Sequence, residues 1–160
     1  MAGDQSIWRR GYCMTDSARI EISGDKSLMR DLARMTDEVR REVEIESHHT
    51  AQELRTMVIK AYHHGPASGS VYEKYNPRRT HRASAAGEAP MSDTGRLASR
   101  TLVSTSGIGA EVWNDTEYAA WLEYGTTKMA ARPAWGPAVD KIEPIYLGRL
   151  RAIIDRAAGK

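Results

Sequence analysis

The sequence predicts an α+β fold: a small antiparallel sheet packed against a long N-terminal helix and a C-terminal helix, with a long flexible loop. Three observations predict it. Apolar residues recur in steps of three and four from about Ser27 to Tyr62, and again over 133–158, as amphipathic helices require. Two alternating segments, 97–105 and 108–114, flank a Ser106-Gly107 turn and read as a hairpin, with a helical start to the first arm as the alternative. The chain has 160 residues, one domain's worth.

Taken in order, residues 1–17 mix charge, glycine and polar groups without period and read as a flexible N-terminal arm; 18–160 read as a single domain. Ala18 to Ser23 alternates Ala18, Ile20 and Ile22 against Arg19, Glu21 and Ser23, the pattern of a half-buried strand. The long helix carries Leu28, Leu32, Met35, Val39, Val43, Ala51, Leu54, Val58 and Ala61 on one stripe. Asp25 or Ser27 can cap its start, and Gly65 followed by Pro66 ends it. The stripe weakens over 46–50, which predicts a bend or break. Ser70 to Tyr75 alternates like a strand, whereas Asn76 to Gly95 has no period and reads as loop. Asn114 and Glu117 stand at capping-box spacing before a short helix that stops at Gly125. Pro144 predicts a kink or a restart within the last helix.

Composition narrows the function classes. Lys+Arg is 23 and Asp+Glu is 21, a net charge of +2, far below that of a protein that coats DNA. The single cysteine, Cys13, cannot form an internal disulfide. There is no apolar run of about 20 residues and no signal-like apolar core, so the expectation is a chain made in the cytoplasm with no membrane partner. Known catalytic and cofactor motifs are missing. HExxH, GxSxG and the phosphate-binding GK[ST] run do not occur, and the pairs His48-His49 and His63-His64 point apart on a helix. No enzyme activity, cofactor or metal is expected. One cluster has chemistry: Lys74, Arg78, Arg79 and Arg82, with His81, occupy nine residues without an acid, beside Tyr72 and Tyr75. Two readings stay open: a nucleic-acid contact through phosphates and stacking, or a loop that is simply solvated or pairs with acids of a neighbouring subunit.

The run EYAAWLEYGTTKMAARPAWGPAVDK (Glu117–Lys141) resembles the "YA…vE-GT…m-aRP-f…PA" signature of tail-completion, or neck, proteins of bacteriophages with long non-contractile tails. Upstream, ISGDKSLMRDLARM is similar to the family's opening strand and helix, and SGSVYEKY with HRASAAGEAPMSDTGRLASR to its "G-vY…h-aSapGe-P-dtG-L" loop. The resemblance covers about 18–157. It implies a structural virion protein rather than a catalyst: a subunit of a homo-oligomeric ring, typically a hexamer, at the head–tail junction. Such a ring meets the head-side connector or head-completion protein on one face and the tail tube on the other. Viral DNA passes through its channel without sequence-specific binding.

The resemblance singles out Tyr118, Ala119, Trp121, Glu123, Gly125, Thr126, Arg132, Pro133 and Pro137 as packing or subunit-interface residues. It singles out Arg78, Arg79, His81, Arg82, Ser84, Gly87, Pro90 and Gly95 as a flexible partner-docking loop. Tyr118, Trp121 and Leu122 stand at i, i+3 and i+4, the spacing of a packing ridge, and Arg132 is expected to return to Glu123. The alternative is a nucleic-acid-binding regulator that uses the basic stretch 74–82.

Overall fold

The computed structural model describes residues 14–15, 19–22, 36–75 and 77–158. Strands β1 (Met14–Thr15) and β2 (Arg19–Ile22) precede helix α1 (Asp37–His64). A hairpin follows, β3 (Val71–Tyr75) and β4 (Arg78–Arg82). A meander then leads to a single helical turn, α2 (Arg96–Ser99), and to strands β5 (Thr101–Ser106) and β6 (Gly109–Asn114). The short helix α3 (Ala119–Tyr124) and the long helix α4 (Trp135–Ala157) complete the chain. The fold is α+β, with a four-stranded antiparallel sheet in the order β1-β2-β6-β5 and a separate two-stranded sheet, β3-β4.

Helix α1 spans 28 residues, about 42 Å at 1.5 Å per residue. Val39, Val43, Ala51, Leu54 and Val58 are buried along the expected stripe, and Tyr62 extends it. The break expected over 46–50 is absent. Ser47 and Thr50 continue the stripe at 4% and 2% exposure, because each hydroxyl is partnered. Ser47 Oγ and Tyr146 Oη share a hydrogen bond of 2.8 Å, and Thr50 Oγ1 donates to Glu46 Oε1 at 3.2 Å. Gly65 ends the helix by donating its N–H to the Ala61 carbonyl at 3.1 Å. A Cβ at position 65 would lie 2.6 Å from that oxygen, so only glycine fits. The expected first turns, 27–35, and the caps Asp25 and Ser27 lie outside the described residues.

The strand expected over 18–23 is β2, which pairs with β6. Met14 and Thr15, within the expected arm, pair with Ile20 and Arg19; the rest of that arm lies outside the described residues. The β5–β6 turn is Gly107-Ile108, one residue beyond the expected one, with Gly107 at φ +55°. Thr101 and Val103 share a sheet face with Asn114 and Val112, and this face packs on α1. Buried Asn114 is a crosslink rather than a helix cap. Its Nδ2 donates to the Leu97 carbonyl at 2.7 Å and to Thr101 Oγ1 at 3.0 Å. Its Oδ1 accepts from Thr116 N and Oγ1 at 3.0 and 2.6 Å. With both ends of the amide engaged, α3 starts later, at Ala119.

Helix α4 runs antiparallel to α1, as its cross-links record. Trp135 Nε1 donates to Tyr62 Oη at 2.9 Å at one end, and Arg156 pairs with Glu42 at 3.2 Å at the other. Between them Arg149 reaches Glu53 at 2.7 Å and Glu46 at 2.9 Å. That hydrogen bond holds the Glu53 carboxyl below the usual carboxylate range, and burial pushes the Tyr62 phenol up. The chain does not restart at Pro144; α4 runs through it as one helix. Pro144 is exposed, as is Asp140, whose carbonyl loses its donor, so water can take that acceptor.

Candidate functional site

Three pieces meet around one cleft: the β3–β4 hairpin, the meander 83–95 and the turn between α3 and α4. In the hairpin Tyr72 faces His81, Lys74 faces Arg79, and Tyr75 faces Arg78. Strand β4 is a correction to the expected loop, because 78–82 pair with β3 residue for residue. Its alternation is invisible in sequence because nearly every residue is polar. One hairpin face, with Lys74, Arg79 and His81, turns to the meander, where Asp93 collects it. Lys74 Nζ donates to Asp93 Oδ2, Arg79 Nη2 lies 2.8 Å from Asp93 Oδ1, and His81 Nδ1 lies 3.8 Å away. The Lys74 hydrogen bond, with the Arg79 charge behind it, holds the Asp93 carboxyl below its ordinary range. The other face leaves Tyr75 exposed at 78%, with Arg78 and Arg82.

The meander is tied down by its own backbone. Gly69 N donates to the Ala83 carbonyl at 2.9 Å, Gly87 N to Ala131 at 2.8 Å and Ser92 N to Tyr62 at 2.7 Å. Glu88 accepts from Ser68 N and Ala85 N at 3.1 and 2.8 Å, and from Ser68 Oγ; these bonds hold its carboxyl low. Gly87 and Gly95 sit at φ +81° and +76°, where other residues are strained. Ser84 and Pro90 are buried.

The α3–α4 turn is organised by Glu123. Its Oε2 accepts from Ala134 N at 2.8 Å and Trp135 N at 3.0 Å, and its Oε1 from Gly136 N at 2.7 Å. These are amides that a helix start leaves without intrahelical partners. The next residue, Pro137, has no N–H to satisfy, which suits the first turn. The expected Arg132–Glu123 pair is therefore not formed: three converging amides occupy the carboxylate, and Arg132 instead donates its backbone N–H to Leu122 O at 2.7 Å. Gly125 has φ +76°, and a Cβ there would lie 2.7 Å from both Ala131 N and Met129 O. Thr126 exchanges backbone hydrogen bonds with Met129, and Pro133 leads into the helix start. The expected ridge on α3 is split. Tyr118 and Leu122 pack on the core with buried Ala119, whereas Trp121 is 55% exposed.

Between these pieces lies a cleft of about 310 Å³ whose lining includes His81, Ser84, Asp93, Arg96, Tyr118 and Arg132. The structure thus brings members of both predicted sets, Tyr118 and Arg132 with His81, Ser84, Pro90 and Gly95, to one place. Sequence reasoning missed Asp93 and the capping role of Glu123. The two acids that follow the basic stretch, Glu88 and Asp93, and a carboxylate upstream of a Pro-containing helix start were the available signals. Among the described residues no three His, Cys, Asp or Glu side chains converge as a metal site needs, and no helix is long and apolar enough to cross a membrane. Compared with protein-family models, curated proteins and solved structures, the chain finds no match.

Proposed function

We propose that this chain is a structural virion protein of a tailed bacteriophage. In this reading it forms a homo-oligomeric ring at the head–tail junction that completes or terminates the tail tube and joins it to the head connector or head-completion protein. Viral DNA passes through the ring without sequence-specific binding. The subunits are made in the host cytoplasm, and the protein needs no catalysis or cofactor.

The observation that carries this reading is the outer edge of β5. Among the described residues no strand pairs with it, and only the Thr101 carbonyl is taken, by Arg55 Nε at 2.8 Å. Its sequence, TLVSTS, holds no charge and no proline, the devices that normally protect an edge. Such an edge suits pairing with a neighbouring subunit, and a heterologous contact repeated about an axis closes a ring. The signature over 117–141 supports the same reading, since Glu123, Gly125 and Pro137 shape a turn. Native mass over a concentration series, with electron microscopy of the product, tests it. A discrete closed oligomer that caps tail tubes is expected. A monomer at every concentration that leaves tubes uncapped refutes it.

The second reading, a nucleic-acid-binding regulator, is favoured by the exposed Tyr75 with Arg78 and Arg82. Against it, Asp93 already neutralises much of the cluster through Lys74 and Arg79. It predicts salt-dependent duplex binding that is lost on Arg78→Ala with Arg82→Ala.

A further inference from the structure

We infer that the cleft beside the α3–α4 turn is a receptor for an acidic peptide segment of a partner protein, one that inserts a carboxylate flanked by an apolar side chain. Three observations converge on it. Ser84 lines the cleft, is 2% exposed, and carries the one buried side-chain polar atom among the described residues that has no hydrogen-bond partner. A hydroxyl left so costs stability, and its retention points to a partner supplied from outside. Arg96 and Arg132 also line the cleft, and among the described residues neither guanidinium has a carboxylate within ion-pair distance. Glu88 feels the Arg132 charge, but its oxygens are held by Ser68 and the Ala85 amide. Asp93, the negative group of the lining, is already paired with Lys74 and Arg79. The unpaired positive charge of the lining belongs to these two arginines, and a guanidinium fork suits a carboxylate.

Pro90, Leu97 and Leu122 give the wall an apolar patch beside the polar Ser92, Thr94 and Tyr118. A volume of about 310 Å³ is at the lower end of small-molecule sites, which run to roughly 1,000 Å³. It suits a few atoms of a longer chain entering from the open side. The inference does not require the ring reading; it concerns what this cleft recognises, whichever assembly the chain belongs to.

The test uses the full chain, labelled with ¹⁵N, and three probes: a capped Leu-Glu-Leu peptide, its Leu-Gln-Leu twin, and sodium hexanoate. The glutamate peptide is expected to shift the Ser84, Arg96 and Arg132 amides saturably, and at least about tenfold more tightly than its glutamine twin. Arg132→Gln is expected to weaken it about tenfold, and this variant keeps the backbone bond to Leu122. Ser84→Ala separates recognition from folding. It is expected to weaken binding while leaving the melting temperature unchanged or raised, because the hydroxyl has no partner within the fold. Equal binding of both peptides, or no shift at these residues, overturns the proposal. Hexanoate binding as tightly as the glutamate peptide overturns the peptide assignment in favour of a small-carboxylate site.

Discussion

Replacing Glu123 by alanine should uncouple α4 from the rest of the domain. The side chain accepts three backbone N–H groups, from Ala134, Trp135 and Gly136, at 2.7–3.0 Å. Two of those amides belong to residues only 3% exposed, so water cannot readily replace the carboxylate. An ordinary helix cap contributes about 0.5–2 kcal/mol. A buried donor left unsatisfied costs about 1–3 kcal/mol. Allowing for relaxation of the helix start, Glu123→Ala should lose about 2–4 kcal/mol. Glu123→Gln keeps one acceptor oxygen and should lose about half as much. Urea unfolding followed by far-ultraviolet circular dichroism measures both variants, with the slope checked for constancy. A loss below about 0.5 kcal/mol for the alanine variant, or a glutamine variant as damaged as the alanine one, would show that the carboxylate does not hold the start of α4.

Tyr62→Phe leaves the buried Trp135 Nε1 without its acceptor and should cost about 1–3 kcal/mol, read from the same urea midpoint and accompanied by a change in tryptophan emission. Gly125→Ala combines a strained φ of +76° with contacts of 2.7 Å and should destabilise by about 2–5 kcal/mol, the sum of a backbone and an overpacking penalty. Gly148→Ala has the opposite sign: the site is interior to α4 with open space around a new Cβ, so a gain of about 0.5–1 kcal/mol in thermal or urea unfolding is expected. Asp93 titrates below its ordinary range, so its hold on the hairpin is complete above the unfolded value near 3.8 and is lost as pH falls through the folded one. Hydrogen exchange of the 71–82 amides, corrected for intrinsic rate, should therefore accelerate below about pH 4. Unchanged protection down to pH 2 would refute the clamp.

What could be read from sequence followed how much each element relies on apolar periodicity. Val39 through Val58 announced α1, and alternation announced β6, because each buries one regular face; the alternation of residue types also announced β2 and β3. Ser47 and Thr50 broke that signal: they are polar in sequence, yet buried, since partners far along the chain or one turn back satisfy them. Strand β4 was illegible for the converse reason. Arg-Arg-Thr-His-Arg carries no apolar residue and is held by β3 and Asp93. Asn114 looked like a cap because spacing alone cannot show that Leu97 and Thr101 already claim its amide. The candidate site was half legible. The residues of both motif stretches were marked, but that they share one cleft depends on the turn that Glu123 sets.

The helix pair has an uneven distribution of support along its length. Near Tyr62 and Trp135 it belongs to the large core that includes Leu54, Val58 and Val112. Among the described residues, toward Val39 and Ile153 it rests on a separate cluster of four buried residues, flanked by Ile108 and Tyr146. The ion pairs along that end are solvent-accessible and contribute little each. Among the described residues, opening the distal end therefore exposes less apolar surface than opening the end at Tyr62, so the two ends should behave as distinct units of local stability. Amides of 39–47 and 149–156 should exchange through a low-energy fraying of the pair, while those of 54–62 wait for global unfolding. A neighbour that packs on the distal end would gain order there at small cost to the rest of the domain.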